Sequence, residues 1–163
     1  MSSSKPVTRS GSRYVLHLGR DERALVARLL DELRSLLTDP ADPELVRRLY
    51  PVVHPDNPDR ESEYQRLMRD DLITSRIAGI DIVTAVLGRS GRKVTLDEAQ
   101  MGAFMQAVNG VRLVLGTLLD VTEDDELVES DDADTAPEYH LYGYLSWILD
   151  SSVRALSGDA YLP

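Results

Sequence analysis

The stretch ITSRIAGIDIVTAVL, from Ile73 to Leu87, decides the fold class. Ile73, Ile77, Ile80 and Leu87 recur at helical spacing, and Ile82, Val83 and Val86 widen the apolar surface beyond a single stripe. A helix that is apolar on most sides belongs in the middle of a bundle, where neighbours cover it all round. Gly88-Arg89-Ser90-Gly91 ends it. On its N-terminal side, Asn57-Pro58 reads as cap and first turn, Tyr64, Leu67 and Met68 form a stripe, and Asp70-Asp71 interposes a polar step.

The flanking sequence repeats the helical signal. Val26, Leu29, Leu30, Leu33, Leu36 and Leu37 share one face, behind an acidic opening at Asp21-Glu22 and ahead of a stop at Thr38-Asp39-Pro40. Asp42-Pro43-Glu44 restarts a short helix that Pro51 must end, because proline lacks the amide donor and disfavours helical geometry at Tyr50. Thr95-Leu96-Asp97-Glu98 has capping-box spacing and opens a helix carrying Met101, Phe104, Met105, Val108, Val111, Leu115 and Leu118. Thr135-Ala136-Pro137-Glu138 is a second such box, before a last helix with Tyr142, Leu145, Ile148, Leu149 and Leu156, stopped at Gly158. Tyr14 to Leu18 alternates weakly, as a short strand or an extended arm. The expectation is an all-α, single-domain bundle of five to six helices, with a short extended N-terminal arm and no sheet. Residues 1–12, rich in Ser and Gly, read as disordered, and 13–163 as the helical domain.

Composition narrows the function. The chain has 163 residues and no cysteine, which excludes disulfides, thiolate catalysis and Cys-zinc sites. The N-terminal residues are polar and no apolar run approaches the roughly 18 residues of a membrane span, so the expected location is cytoplasmic, with no membrane partner. Charge is uneven. Residues 1–93 carry 16 Lys/Arg against 14 Asp/Glu, and residues 94–163 carry 2 against 14. Nine acids fall between Asp120 and Asp134, a window that reads as a solvated, mobile loop. The net charge of −10 opposes direct nucleic-acid binding.

Two motifs carry the functional argument. His54-Pro55-Asp56 is the tripeptide of J-domain co-chaperones, but Pro51, Pro55 and Pro58 lie within eight residues. Tyr50, Pro51, His54, Pro55, Asp56, Asn57 and Pro58 therefore read as a proline corner that fixes the angle between two helices. No histidine spacing suits a metal, and neither a cofactor nor a catalytic set is expected. Asn109 and Arg112 stand at i, i+3 on one face of an otherwise apolar helix. A buried arginine there requires a partner, expected to be a carboxylate or main-chain carbonyls supplied from outside its own helix.

In chain order, Arg48-Leu49-Tyr50-Pro51, Asp56-Asn57-Pro58, Val94-Thr95-Leu96, Asn109-x-x-Arg112-Leu113-x-Leu115-Gly116-Thr117 and Tyr142-x-x-Leu145-x-Trp147 resemble a family of actinobacterial helical proteins of largely unassigned function. The resemblance runs from about Tyr14 onward, and the Asn109–Thr117 segment is its most specific part. It implies kinship with the AosR-like regulators of oxidative-stress genes, which act with an alternative sigma factor, and with proteins encoded beside the ClpS proteolytic adaptor. The thiol switch of such regulators cannot operate without cysteine.

The expected function is that of a non-enzymatic cytoplasmic regulatory or protein-interaction protein, with a stress-linked transcriptional regulator acting through protein contacts as the form the resemblance implies. Its partner would be a protein, by resemblance a sigma factor or the proteolysis machinery, and a homodimer is left open. The alternative is a small helical enzyme or ligand-binding protein with a pocket near Asn109 and Arg112. A weaker alternative is a J-domain-like co-chaperone acting through His54, Pro55 and Asp56.

Overall fold

The computed structural model describes residues 5–39, 43–50, 52–119 and 136–158. The acidic window 120–134, Pro51, Asp42 and Thr135 lie outside the described residues. In order, the elements are strands β1 (Val7–Ser10) and β2 (Arg13–Leu16), helix α1 (Arg20–Thr38), a 3-10 helix (Pro43–Leu49), helix α2 (Pro58–Leu87), strand β3 (Val94–Leu96), and helices α3 (Glu98–Leu118) and α4 (Ala136–Leu156).

The fold is mainly helical, but the all-α expectation needs correcting. A three-stranded antiparallel sheet of order β1-β2-β3 is present, with Val7 opposite Leu16 and Tyr14 opposite Leu96. Gly11, at φ +63°, makes the hairpin turn that joins β1 to β2, a conformation glycine adopts without strain. The disorder expected over residues 1–12 does not hold for Val7–Ser10. Val7, Tyr14, Leu16, Val94 and Leu96 are all buried in the main core, so the sheet is one of its walls.

Each helix follows from its residues. In α1, Arg23, Val26, Leu30, Leu33 and Leu37 are buried at alternating spacings of three and four, the period that keeps one stripe inward. Fully burying a leucine such as Leu30 stabilises the fold by about 1.5–3 kcal/mol. The polar step at Asp70-Asp71 does not break α2, which runs unbroken for 30 residues from the Asn57 N-cap. Its buried residues are Ile80, Val83, Val86 and Leu87, all near its C-terminal end. Ile82 is 47% exposed, so one side of this helix faces outward. The middle position belongs instead to α3, which packs against α1, α2, α4, the 3-10 helix and strands β2 and β3.

The start of α3 also differs from expectation. Thr95 is paired in β3, and the capping box lies two residues later. Gln100 N–H donates to Asp97 Oδ1 at 2.8 Å, and Asp97 N–H donates to Gln100 Oε1 at 3.0 Å. Among the described residues, no helix is long and apolar enough to cross a membrane.

Candidate functional site

The proline corner is tied to α2 through Glu61. Its carboxylate oxygen Oε1 accepts the backbone N–H of Val53 at 2.9 Å and of His54 at 2.6 Å, while Oε2 accepts the Gln65 amide at 2.6 Å. These bonds favour the charged form, with Gln65 the largest influence, and they hold the Glu61 carboxyl below its ordinary range. Asn57 N–H donates to His54 O at 3.2 Å, and Asn57 Oδ1 caps α2 by accepting from Arg60 N–H at 3.1 Å. The His54 ring meets Tyr64 edge-on, 5.9 Å between centroids. The backbone of the corner is thus organised by side chains of the helix it introduces.

Tyr50 closes the other side of the corner. It is buried, with the Arg69 guanidinium 4.4 Å from its ring centroid. Burial raises the Tyr50 hydroxyl pKa, opposed by Arg69 and Arg76. Arg76 donates from Nη2 to Leu49 O at 3.0 Å, whereas its Nε is buried without a partner. Burial lowers the Arg76 pKa, and Tyr50 opposes that shift.

On α3, Arg112 and Asn109 do meet. Arg112 donates from Nε and Nη2 to Asn109 Oδ1, at 3.2 and 3.0 Å, and from Nη1 to the Tyr142 hydroxyl of α4 at 3.3 Å. Its guanidinium carbon also lies 5.6 Å from the Tyr142 ring centroid. The expected carboxylate or carbonyl partner is therefore corrected: the acceptors are a side-chain amide on the same helix and a phenol on the next. A half-buried arginine keeps part of its hydration, so neutral acceptors suffice.

Two glycines mark where the neighbours approach. A Cβ on Gly110 would stand 3.0 Å from Leu33 Cδ2, and one on Gly116 would stand 2.9 Å from Arg48 Nη1 and 3.2 Å from Tyr142 Cε2. Arg48, which has no hydrogen-bond or ion-pair partner among the described residues, thus joins Tyr142 and Arg112 along the C-terminal half of α3. Periodicity identifies Asn109 and Arg112 and places Tyr142 on the last helix, and the resembling segments include Arg48, but none of these signals brings Arg48 or Tyr142 to α3, and Arg76 is missed. Only the two glycines in the quoted segment hint at such close neighbours.

A family profile matches residues 4–156, from the N-terminal hairpin to the end of α4. The chain belongs to the DUF2017 family. That family is described as a domain of unknown function. No curated protein and no solved structure matches the chain.

Within this DUF2017 domain, cavities lie at the α1 N-terminus, between α1 and α2, and beneath Gly79, and all three are lined by residues other than Asn109 and Arg112. No group of three His, Asp or Glu side chains among the described residues is placed to hold a metal. The Arg112 cluster is thus a polar clasp between α3 and α4.

Proposed function

We propose that this DUF2017 domain is a protein-interaction module whose docking surface is the corner and the first half of α2. The observation that carries the reading is the burial profile of α2. Every fully buried residue of this 30-residue helix lies at Ile80 or beyond, yet the first half is apolar in places, with Leu67 62% exposed and Met68 also exposed. Val52 and Val53 are exposed in the corner that precedes it. A half-helix that adds only the half-buried Leu72 to the edge of its own core, but is tied to the corner by Glu61 and Arg69, is pre-organised for a partner. The sequence resemblance adds the classes of partner: a sigma factor, through AosR-like regulators, or the proteolysis machinery, through the proximity to ClpS. Any input to such regulation must be something other than a thiol, since the chain lacks cysteine.

The test is a photo-crosslinking amino acid at position 67 in the full chain, with capture from an extract of an actinobacterium. The reading requires a defined protein partner captured at position 67 and lost in Met68→Asp, with the melting temperature unchanged. Capture only from a crosslinker at the exposed Trp147 would move the docking surface to α4 and overturn it. Sedimentation of the same variants detects self-association, the homodimer outcome.

A further inference from the structure

The largest of the described cavities, about 910 Å³, opens where the N-terminus of α1 meets the turn that follows α2. Four arginines line it: Arg20 and Arg23 from α1, Arg89 and Arg92 from the turn. No carboxylate is among its lining residues. This concentration of positive charge stands in a chain of net charge −10. Asp21 and Glu22 in the same first turn do not line the cavity, and Glu22 lies beside the Tyr144 hydroxyl on α4 instead.

Arg23 is the decisive residue. It is 6% exposed, and its Nη2 donates to Gly91 O at 2.6 Å, but Nη1 is buried with no partner. A guanidinium enclosed with one carbonyl acceptor is short of counter-charge, an arrangement that costs stability unless an anion completes it. The adjoining helix end is short of acceptors as well. Gly19 is the N-cap of α1 and offers no side-chain cap to the first-turn amides, and Gly19 and Arg20 at this helix end line the same opening. Arg20 and Arg92 are exposed and make no hydrogen bond or ion pair among the described residues, which leaves them free to close over an occupant.

We propose that this cavity binds a phosphate-bearing small molecule, held between the buried Arg23, the uncapped first turn of α1 and the exposed heads of Arg20 and Arg92. Guanidinium groups pair with phosphate oxygens in a fork geometry, and a helix N-terminus adds amide donors and a favourable dipole. Orthophosphate alone underfills the space. The volume falls in the range of small-molecule sites, and Ala27 and Leu87 supply an apolar floor for an organic group attached to the phosphate. This site is remote from the docking surface proposed above and does not depend on it.

Titration calorimetry of the full chain with pyrophosphate and with ATP, at constant ionic strength, tests the proposal. Saturable binding of both is expected, together with a rise in melting temperature. The double variant Arg20→Glu/Arg92→Glu keeps the fold, because both side chains are exposed and acid suits a helix N-terminus. It should weaken binding by about tenfold or more, whereas Arg66→Glu on the exposed half of α2 should leave binding unchanged. Absence of saturable binding by either probe at millimolar concentration would overturn the proposal, as would equal weakening by Arg66→Glu. Tighter binding of a single-stranded oligonucleotide than of ATP would also defeat it, by making the cavity part of a nucleic-acid surface.

Discussion

Ser151 and Val7, 144 residues apart, are joined by two hydrogen bonds: the Ser151 hydroxyl donates to Val7 O at 3.1 Å and accepts from Val7 N–H at 3.2 Å. Both residues are buried, so the last helix holds the first strand by satisfying its backbone at a place where no water can.

Ser151→Ala should therefore leave one buried donor and one buried acceptor unpaired, at a cost of about 2–4 kcal/mol, lowering the melting temperature by roughly 5–12 °C. The neighbouring Ser152→Ala is the control. Ser152 donates only to Ile148 O within its own helix, so its loss should cost under about 1 kcal/mol. Equal effects of the two variants in thermal melts would show that this helix–strand clasp contributes nothing special.

Arg112→Met should destabilise the fold by about 1–2 kcal/mol in urea titrations, because the acceptors it leaves behind are neutral and only partly buried. Arg112→Lys should not restore stability, since an ammonium cannot span Asn109 and Tyr142 as a planar fork does. A double-mutant cycle with Asn109→Ala should show clear coupling, and additivity in that cycle would dismiss the clasp.

Glu61 supplies a pH dependence of defined sign. Its folded pKa lies below the ordinary 4.5, so its stabilising effect is complete above that value and is lost as pH falls through the lower, folded value. Wild type should exceed Glu61→Gln in urea midpoint at pH 7, and the difference should shrink as pH drops below 4. Midpoints that stay equally separated from pH 7 to pH 3 would show that the carboxylate charge is irrelevant to the corner.

Asp97→Ala should cost about 1 kcal/mol through loss of the α3 cap. Thr95→Ala, at an exposed strand position, should cost less. The reverse order in denaturant titrations would return the helix start to Thr95.

That last pair also shows why part of the fold was legible and part was not. The leucine stripe of α1 and the apolar face of α3 declare themselves, since each helix repeats its period over several turns. The strands do not, because each has only three or four residues, and Tyr14, Val15 and Leu16 are all buried rather than alternating. Val94-Thr95-Leu96 looks like the entrance of a helix because its strand partner is nearly eighty positions away. At the Arg112 cluster, Asn109 was visible through its helical spacing, whereas Tyr142 read as a stripe residue of another helix, with no local sign that it meets Arg112. Arg23 was hidden for a similar reason: it occupies a stripe position that periodicity reserves for apolar residues, and its carbonyl partner, Gly91, comes from a distant turn.

Pairing Tyr14 with Leu96 closes a loop that contains α1, the 3-10 helix and α2 in full. The hairpin of β1 and β2 can form at once, but its open edge stays unpaired until β3 has been brought back across both helices. Closing so long a loop costs chain entropy before any pairing rewards it, so the third strand joins late and sets the pace of folding. During that interval the exposed backbone of β2 is a template for the wrong strand, and α2 must already be packed to deliver the right one.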